Sequence, residues 1–505
     1  MSLLGIDVGT SGARALAISI EGRPLAEASR EYSLAPAASG AYELDSERVW
    51  AAIREVIAEV AARTKQDPIH ALSVTSMGEV IVPLSADGRI LSQGILSADQ
   101  RGSHCVRAVE QKLGRERLFE ITGSLPGSTG SLSKLCWLRD NKPALFEGAW
   151  RFVLWSGLVS YLLGGASTCD YSLASRTLLF DLAQKRWSSE VLHASGLLPL
   201  KLPDLAPAGT SVGIVSAPLA RELSLPAGVR IILGGYDLSC SALGLGVVEG
   251  GMAMYLLGNS IFMLPTFNAI PLTSLMLSQG LDMACHVLPG AFVSVLYNQS
   301  GGAVLRWFAD TLVPLEKREV QKRGLSVYTE LLAEMPEEPT ELMVLPYFAQ
   351  AGPPHLGDRV PGGVLGLLTS TTRGELIKAL LEGVTYHFAE GQERLQRAGI
   401  SIKGYRAAGG GARSDRWLQL SADILGTPIE RPQVGDPAMM GAAMVAGVGS
   451  GAYASFEEAV KMLVRVERRF EPHPQRSALY RAQMERYQKM ISALREQEMV
   501  TGGPG

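Results

Sequence analysis

The chain is poor in cysteine and has no long apolar run. Its five cysteines, Cys105, Cys136, Cys169, Cys240 and Cys285, are odd in number, widely spaced and without any C-x-x-C. That pattern argues against a disulfide framework and against a zinc site, and reads as reduced thiols. No apolar stretch approaches the roughly 20 residues of a membrane span, and no basic n-region with an apolar core precedes the first strand-like segment. A cytoplasmic protein is expected. Neither sign of charge prevails: 47 Lys and Arg face 50 Asp and Glu, with net charge -3 and pI about 6.2. The charges are interleaved, so neither a nucleic acid nor a membrane surface is an expected partner. The histidines are scattered and mark no metal site. What the chain does have is size and apolar content, 505 residues of which 47% are hydrophobic. This suits two large globular domains, or three by length alone, with small-molecule chemistry as the default.

Strand-like runs of Val, Ile and Leu alternate with amphipathic helices, the pattern of an α/β protein. Over residues 49–62, Val49, Ile53, Val56, Ile57 and Val60 share one helical face. A second helix is predicted from about Glu375 to Ala398, stopping at Gly399, and a third from Asp436 as N-cap with Pro437 at its first position. The Glu-, Lys- and Pro-rich stretch 314–340 reads as a surface helix plus loop with a solvated charge run. A faint repeat links LLGIDVGTSGARALAISIEGRPL near the start with GGMAMYLLGNSIFMLPT at 250–266, each strand, small polar turn, strand.

The most informative segment is GIDVGTSGARALAIS at residues 5–19. Gly9 and Gly12 permit a tight turn with N–H groups facing one way, Thr10 and Ser11 add hydroxyl donors, and Arg14 adds positive charge suited to phosphate. Asp7 stands where a carboxylate can hold hydrated Mg2+. The same pattern also marks hairpins that bind nothing, so the rest of the chain decides its meaning. Strand, then Gly409-Gly410-Gly411, then helix is the context in which a glycine-rich loop approaches a nucleotide. Gly258 and Gly301-Gly302 fit such an approach as well, or serve as ordinary turns. Asp237 follows the apolar run 229–233 and Gly234-Gly235-Tyr236, so it emerges from a strand end onto a loop that opens a helix. Taken alone it reads as a helix N-cap.

Together these segments closely resemble the FGGY family of carbohydrate kinases. Gly362, Val364, Gly366, Leu367, Glu375, Leu376, Ala379, Leu380, Leu381 and Glu382 satisfy that family's second signature. DYSLASRTLLFDL at 170–182, RIILGGYDLSCSALGLGVV at 230–248, GNS at 258–260 and AAGGGARSDRWLQLSADILGTPIERP at 407–432 follow in the family's order. The resemblance implies two actin-like (ribonuclease H-like) α/β domains, 1–246 for sugar binding and catalysis and 247–505 for the nucleotide, with the cleft between them. It implies ATP and Mg2+ as cofactors, Asp237 as catalytic base and substrate contact, and Asp7 with Asp237 at the metal. For the nucleotide it points to Asp7, Gly9, Thr10, Ser11, Arg14, Gly258, Asn259, Gly301, Gly302, Gly410, Gly411 and Asp415. Asn259 departs from the family's usual Thr, though an amide also donates to phosphate.

The sugar pocket departs most. Where the family places Arg-Glu in glycerol kinases or Met-His-Gly in xylulose kinases, this chain has Gly78-Glu79-Val80. The tyrosine that stacks on glycerol falls on Thr129, and an aromatic-Asn pair is replaced by Ser97-Ala98 before Asp99 and Arg101. Glu79 and Asp99 are the candidate sugar ligands; for Asp99 a salt bridge with Arg101 is the alternative. A roomier pocket follows; by length and overall pattern the resemblance implies a ketose such as xylulose as the substrate, with glycerol, tetritol, ribulose or fuculose as alternatives. The segment Gln350 to Pro354 is also atypical, and His355 reads as a surface-loop residue. Competing classes are an actin- or Hsp70-like ATPase without a sugar substrate and a non-catalytic sugar-binding regulator. A homodimer is the expected assembly.

Overall fold

The computed structural model describes residues 1–34, 41–349, 351–355 and 362–496. Its first half is built on a six-stranded sheet. Strands β1 (Ser2–Val8), β2 (Gly12–Ser19) and β3 (Pro24–Glu31) form an antiparallel meander, and β4 (Ile69–Ser76) lies parallel to β1. At the edge β5 (Ser211–Ile214) runs antiparallel to β6 (Arg230–Tyr236), which is parallel to β4. Every residue of β1 is buried, as a central strand covered on both faces requires. Helix α1 (Ser46–Arg63) covers one face with Val49, Ile53, Val56, Ile57 and Val60 buried, the predicted stripe, and Asp45 caps its start.

Between β4 and β5 the chain adds helices α2 (Ser103–Leu113), α3 (Ser131–Asn141) and α4 (Trp155–Leu163) and three strands of a small four-stranded sheet, whose fourth strand is Glu43–Leu44. Cys105 of α2 and Cys136 of α3 form a disulfide, which corrects the expectation of five reduced thiols. Helix packing brings together two cysteines whose sequence spacing gave no sign of a pair. Cys169, Cys240 and Cys285 are free and buried.

After α5 (Asp237–Gly244) the second half repeats the plan. Hairpin strands β7 (Met252–Leu257) and β8 (Ile261–Phe267) stand in for β1 and β2, while β9 (Ala284–Cys285), β10 (Phe292–Val293) and β11 (Leu296–Asn298) extend the β8 side. Beyond β7, β12 (Gly404–Ala408) and β13 (Ile429–Pro432) are parallel and β14 (Val466–Phe470) is antiparallel, matching β4, β6 and β5. The faint sequence repeat is therefore a duplicated sheet, and the architecture is the expected pair of actin-like α/β halves.

Helix α6 (Gly302–Thr311) follows β11, and α7 (Arg373–Arg397) starts with a capping box between Thr372 and Glu375. Helices α8 (Asp415–Leu425), α9 (Pro437–Ser450) and α10 (Pro474–Glu496) complete the half. The stretch 314–340 holds two short helices, Pro314–Lys322 and Val327–Ala333, rather than one. Helix α9 leaves its own sheet and crosses to β1 and α5 of the first half. Glycines make this possible: a Cβ on Gly441 would overlap the Cys240 carbonyl oxygen, and one on Gly244 the Pro437 carbonyl oxygen.

Candidate active site

A cavity of about 530 Å3 opens between the halves at the carboxyl ends of β1, β4 and β6. Asp7, Gly9, Thr10, Ser11, Arg14, Glu79 and Asp237 all line it. The β1–β2 hairpin closes through Gly9 N–H donating to the Gly12 carbonyl at 3.0 Å, and the Tyr32 hydroxyl donates to the Gly9 carbonyl at 2.6 Å. The register pairs Asp7 with Arg14 across the hairpin. Arg14 binds Asp7 Oδ2 and reaches on to Asp436, the N-cap of α9, so one guanidinium joins the hairpin to the helix that crosses between halves.

Asp7 Oδ1 is buried and has no hydrogen-bond partner. Burial pushes the Asp7 carboxyl up to about 6, with Arg14 opposing. Asp237, the first residue of α5, is pushed well above the usual carboxylate range by burial and then by the charge of Asp7. Its Oδ1 accepts the Leu238 N–H at 2.7 Å. Asp7 is raised by burial and by the charge of Asp436, and Asp237 by burial and by the charge of Asp7; two such carboxyls in one cleft fit a divalent cation, whose charge would relieve both. Among the described residues no group of three or more His, Cys, Asp or Glu is gathered for a metal, so phosphate and water would have to complete the shell.

On the sugar side Glu79 occupies a left-handed backbone conformation, φ 63°, that few non-glycine residues adopt. Its carbonyl accepts the Ser131 hydroxyl at 2.7 Å, and its carboxylate accepts Arg176 Nε at 2.7 Å. Arg176 also donates to Asp282 Oδ2 at 3.2 Å, while Asp282 Oδ1 accepts the Val295 N–H at 2.8 Å. Sequence reasoning missed Arg176, Asp282, Tyr236 and Tyr297, all of which line the cavity. Arg176 sits in the 170–182 segment that carried the resemblance, so a signal was available for that one. The arginine absent at position 78 has a counterpart here from a different segment.

Asp99 is placed elsewhere. It is fully buried, both its oxygens accept Arg101 Nε at 2.9 Å, and Oδ2 accepts the Tyr42 N–H at 2.9 Å. With Arg101 also on Glu43 at 2.6 Å, Asp99 clips two segments together and does not reach the cavity lining. The salt-bridge alternative describes it.

The glycine turns of the second half converge on the end of β7. Gly302 N–H donates to the Gly258 carbonyl at 2.9 Å and Ala303 N–H to that of Asn259 at 3.1 Å. Gly409, at φ 94°, lies so close that a Cβ would come within 2.6 Å of the Leu257 carbonyl oxygen. Gly301 sits against Asn259 and Ile261, Gly411 packs on Trp417 and Leu257, and the space beside Gly410 is open. Only Ser260 of the 258–260 turn is part of the cavity lining. The Asp415 carboxylate is held by Arg431 at 2.8 Å and by Arg468.

His355 corrects a second expectation, since it is buried rather than on the surface. Its Nε2 lies 2.8 Å from Glu390 Oε2 of α7, and Pro353, two residues before it, lines the cavity. Gln350, the first residue of the atypical segment, lies outside the described residues.

Residues 2–244 match the model of the FGGY family of carbohydrate kinases, N-terminal domain, and residues 276–450 match the C-terminal domain of the same family. The chain belongs to the FGGY family of carbohydrate kinases. It is 27% identical over 493 residues to the xylulose kinase of Bacillus subtilis (strain 168), covering 97% of this chain and 96% of that one. It is 31% identical over 497 residues to the glycerol kinase of Thermus brockianus, covering 95% and 96%. The crystal structure of a "xyloylose kinase" from Brucella ovis superposes with a TM-score of 0.88 at 27% identity, covering 98% of this chain and 100% of that chain. As an FGGY kinase the protein is a phosphotransferase that uses ATP and acts on a small sugar. Among the described residues no helix is long and apolar enough to cross a membrane.

Proposed function

We propose that this FGGY kinase phosphorylates a ketose such as xylulose, with Asp237 as general base. The observation that carries this is the half-buried Asp237 carboxyl at the cavity wall, raised by desolvation and by Asp7, beside a sugar side built on Glu79. The substrate hydroxyl gives its proton to Asp237 as its oxygen bonds the γ-phosphorus, and the bond from that phosphorus to the β-γ bridging oxygen breaks to release ADP. The Gly9 to Ser11 turn donates N–H and hydroxyl groups to the phosphates. Arg14 holds Asp7 Oδ2 and leaves Oδ1 without a hydrogen-bond partner, so that this oxygen would be the one to bind a cation. Bound Mg2+ supplies charge neutralisation of the phosphates, and Asp7 with Asp237 would hold it. The turns at Gly258, Asn259, Gly301, Gly302, Gly410 and Gly411 form the nucleotide wall of residues 247–505, which closes on residues 1–246 to exclude water.

The names of the relatives favour xylulose, and the absence of an aromatic at Thr129 disfavours glycerol. The 31% identity to a glycerol kinase keeps a polyol as the second reading. The test is ADP release with ATP and Mg2+ across pentuloses, hexuloses, aldoses, pentitols, tetritols and glycerol. Stimulation by a pentulose supports the reading, stimulation by glycerol alone replaces it with the second, and release that no carbohydrate alters overturns both.

A further inference from the structure

The two places where the family's sugar pocket carries aromatic side chains hold Thr129 and Ser97-Ala98 here, and all three line the cavity. Aromatic surface nevertheless stands beside the catalytic position. Tyr236, the residue before Asp237, lines the same cavity. Its backbone is fixed by pairing with Ser76 across β6 and β4 and by its N–H donating to Ser172 Oγ at 2.9 Å. The Arg176 guanidinium carbon lies 5.4 Å from its ring centroid, a cation–π distance, and Arg176 is itself held by Glu79. Gly78 stands against both of them. A Cβ there would lie 3.0 Å from Tyr236 Cε2 and 3.3 Å from Arg176 Cγ, closer than either group tolerates without moving. The atypical glycine of Gly78-Glu79-Val80 is thus the space that the Tyr236 ring and the Arg176 stem need. Burial keeps the phenol protonated, and no described side chain shares a hydrogen bond with its hydroxyl.

We propose that Tyr236 is a specificity-determining residue of this kinase, packing its ring on a C–H face of the sugar next to the reacting hydroxyl and donating its O–H to a neighbouring one, while Gly78 keeps its seat open. Discrimination among sugars then passes through Tyr236 and not through Thr129 or Ser97-Ala98, whose small side chains leave room. An aromatic ring offers a neutral polyhydroxylated chain both an apolar face and one polar tip. The assignment rests on the kinase reading above.

The test compares kcat/KM for the sugar panel in the wild type and in Tyr236→Phe, Tyr236→Ala and Gly78→Ala. Melting temperature and the KM for ATP serve as controls. Removing the hydroxyl or the ring should change the ratio of kcat/KM between the best and second-best sugars by about tenfold or more, the scale of losing one specific contact in a binding site. Gly78→Ala, which crowds the ring from outside the cavity, should move the ratio in the same direction. If Tyr236→Ala does not fold, Tyr236→Phe and Gly78→Ala decide the matter. Variants that lose activity equally on every sugar, or on none, overturn the role of Tyr236 while the kinase stands. A wild-type protein that phosphorylates no sugar overturns the kinase reading and this one with it.

Discussion

Glu79 and Arg176 lie 97 positions apart in sequence and share a 2.7 Å charge-assisted hydrogen bond at the wall of the cleft. The pair extends to Asp282 of the second half, so one largely buried guanidinium ties the loop after β4 to the segment before β9. Removing it leaves two carboxylates without their partner in a poorly solvated place. Arg176→Gln should therefore cost about 3–5 kcal/mol of stability, the range for breaking a buried ion pair, and raise the KM for sugar. Denaturant melts together with sugar kinetics check this. Glu79→Ala should raise the KM for sugar while leaving the KM for ATP near wild type. An unchanged KM for every accepted sugar would show that Glu79 only supports the loop.

Asp237→Asn should lower kcat by about a hundredfold to ten-thousandfold, the usual share of a general base. The amide keeps an oxygen to accept the Leu238 N–H, so α5 starts as before and ADP binding should be retained. Calorimetric titration with ADP separates the two effects. Normal turnover in the variant would remove Asp237 from the proton transfer.

Elements whose signals are local were legible in the sequence. The β1–β2 hairpin, the apolar stripe of α1, the Gly399 stop of α7 and the Asp436-Pro437 start of α9 all depend on residues within a few positions of one another. Asp7, the 9–11 turn and Asp237 were legible for the same reason, each standing at a strand end. What failed depended on partners far along the chain. His355, between prolines and a glycine, has the flanks of a surface residue, yet Glu390 from a helix 35 positions away takes it into the interior. Asp99 looked available for a sugar until Tyr42 and Glu43 arrived to complete its clip with Arg101. Cys105 and Cys136 meet only because α2 packs on α3.

The His355 site has a pH signature. Burial alone would raise the Glu390 carboxyl, but the His355 hydrogen bond and the charge of Arg394 hold it down at about 2. A carboxylate lower in the folded state than its ordinary 4.5 contributes stability that is present above pH 4.5 and lost as pH falls toward 2. The full shift corresponds to roughly 3 kcal/mol. Glu390→Gln should therefore be less stable than wild type at pH 7, and the difference should shrink as pH drops from 4.5 toward 2. Urea unfolding at pH 7, 4 and 3 measures it. Parallel stability curves for the two proteins would assign the loss to packing and not to charge.

Gly441 is where the crossing helix depends most on an absent side chain. A Cβ there would overlap the carbonyl oxygen of Cys240, which is backbone of α5 and cannot swing aside. Gly441→Ala must then push α9 away from α5, at a cost of about 1–3 kcal/mol or more for overpacking. Because α9 carries Asp436, and Asp436 holds Arg14, the displacement should reach the 9–11 turn. The variant is expected to melt earlier and also to show a raised KM for ATP. Gly435→Ala provides the control: it lies on the same approach to α9, has open space around it and should be within about 0.5 kcal/mol of wild type. If Gly441→Ala lowers the melting temperature while the KM for ATP holds, α9 stabilises the two halves without positioning the phosphate turn.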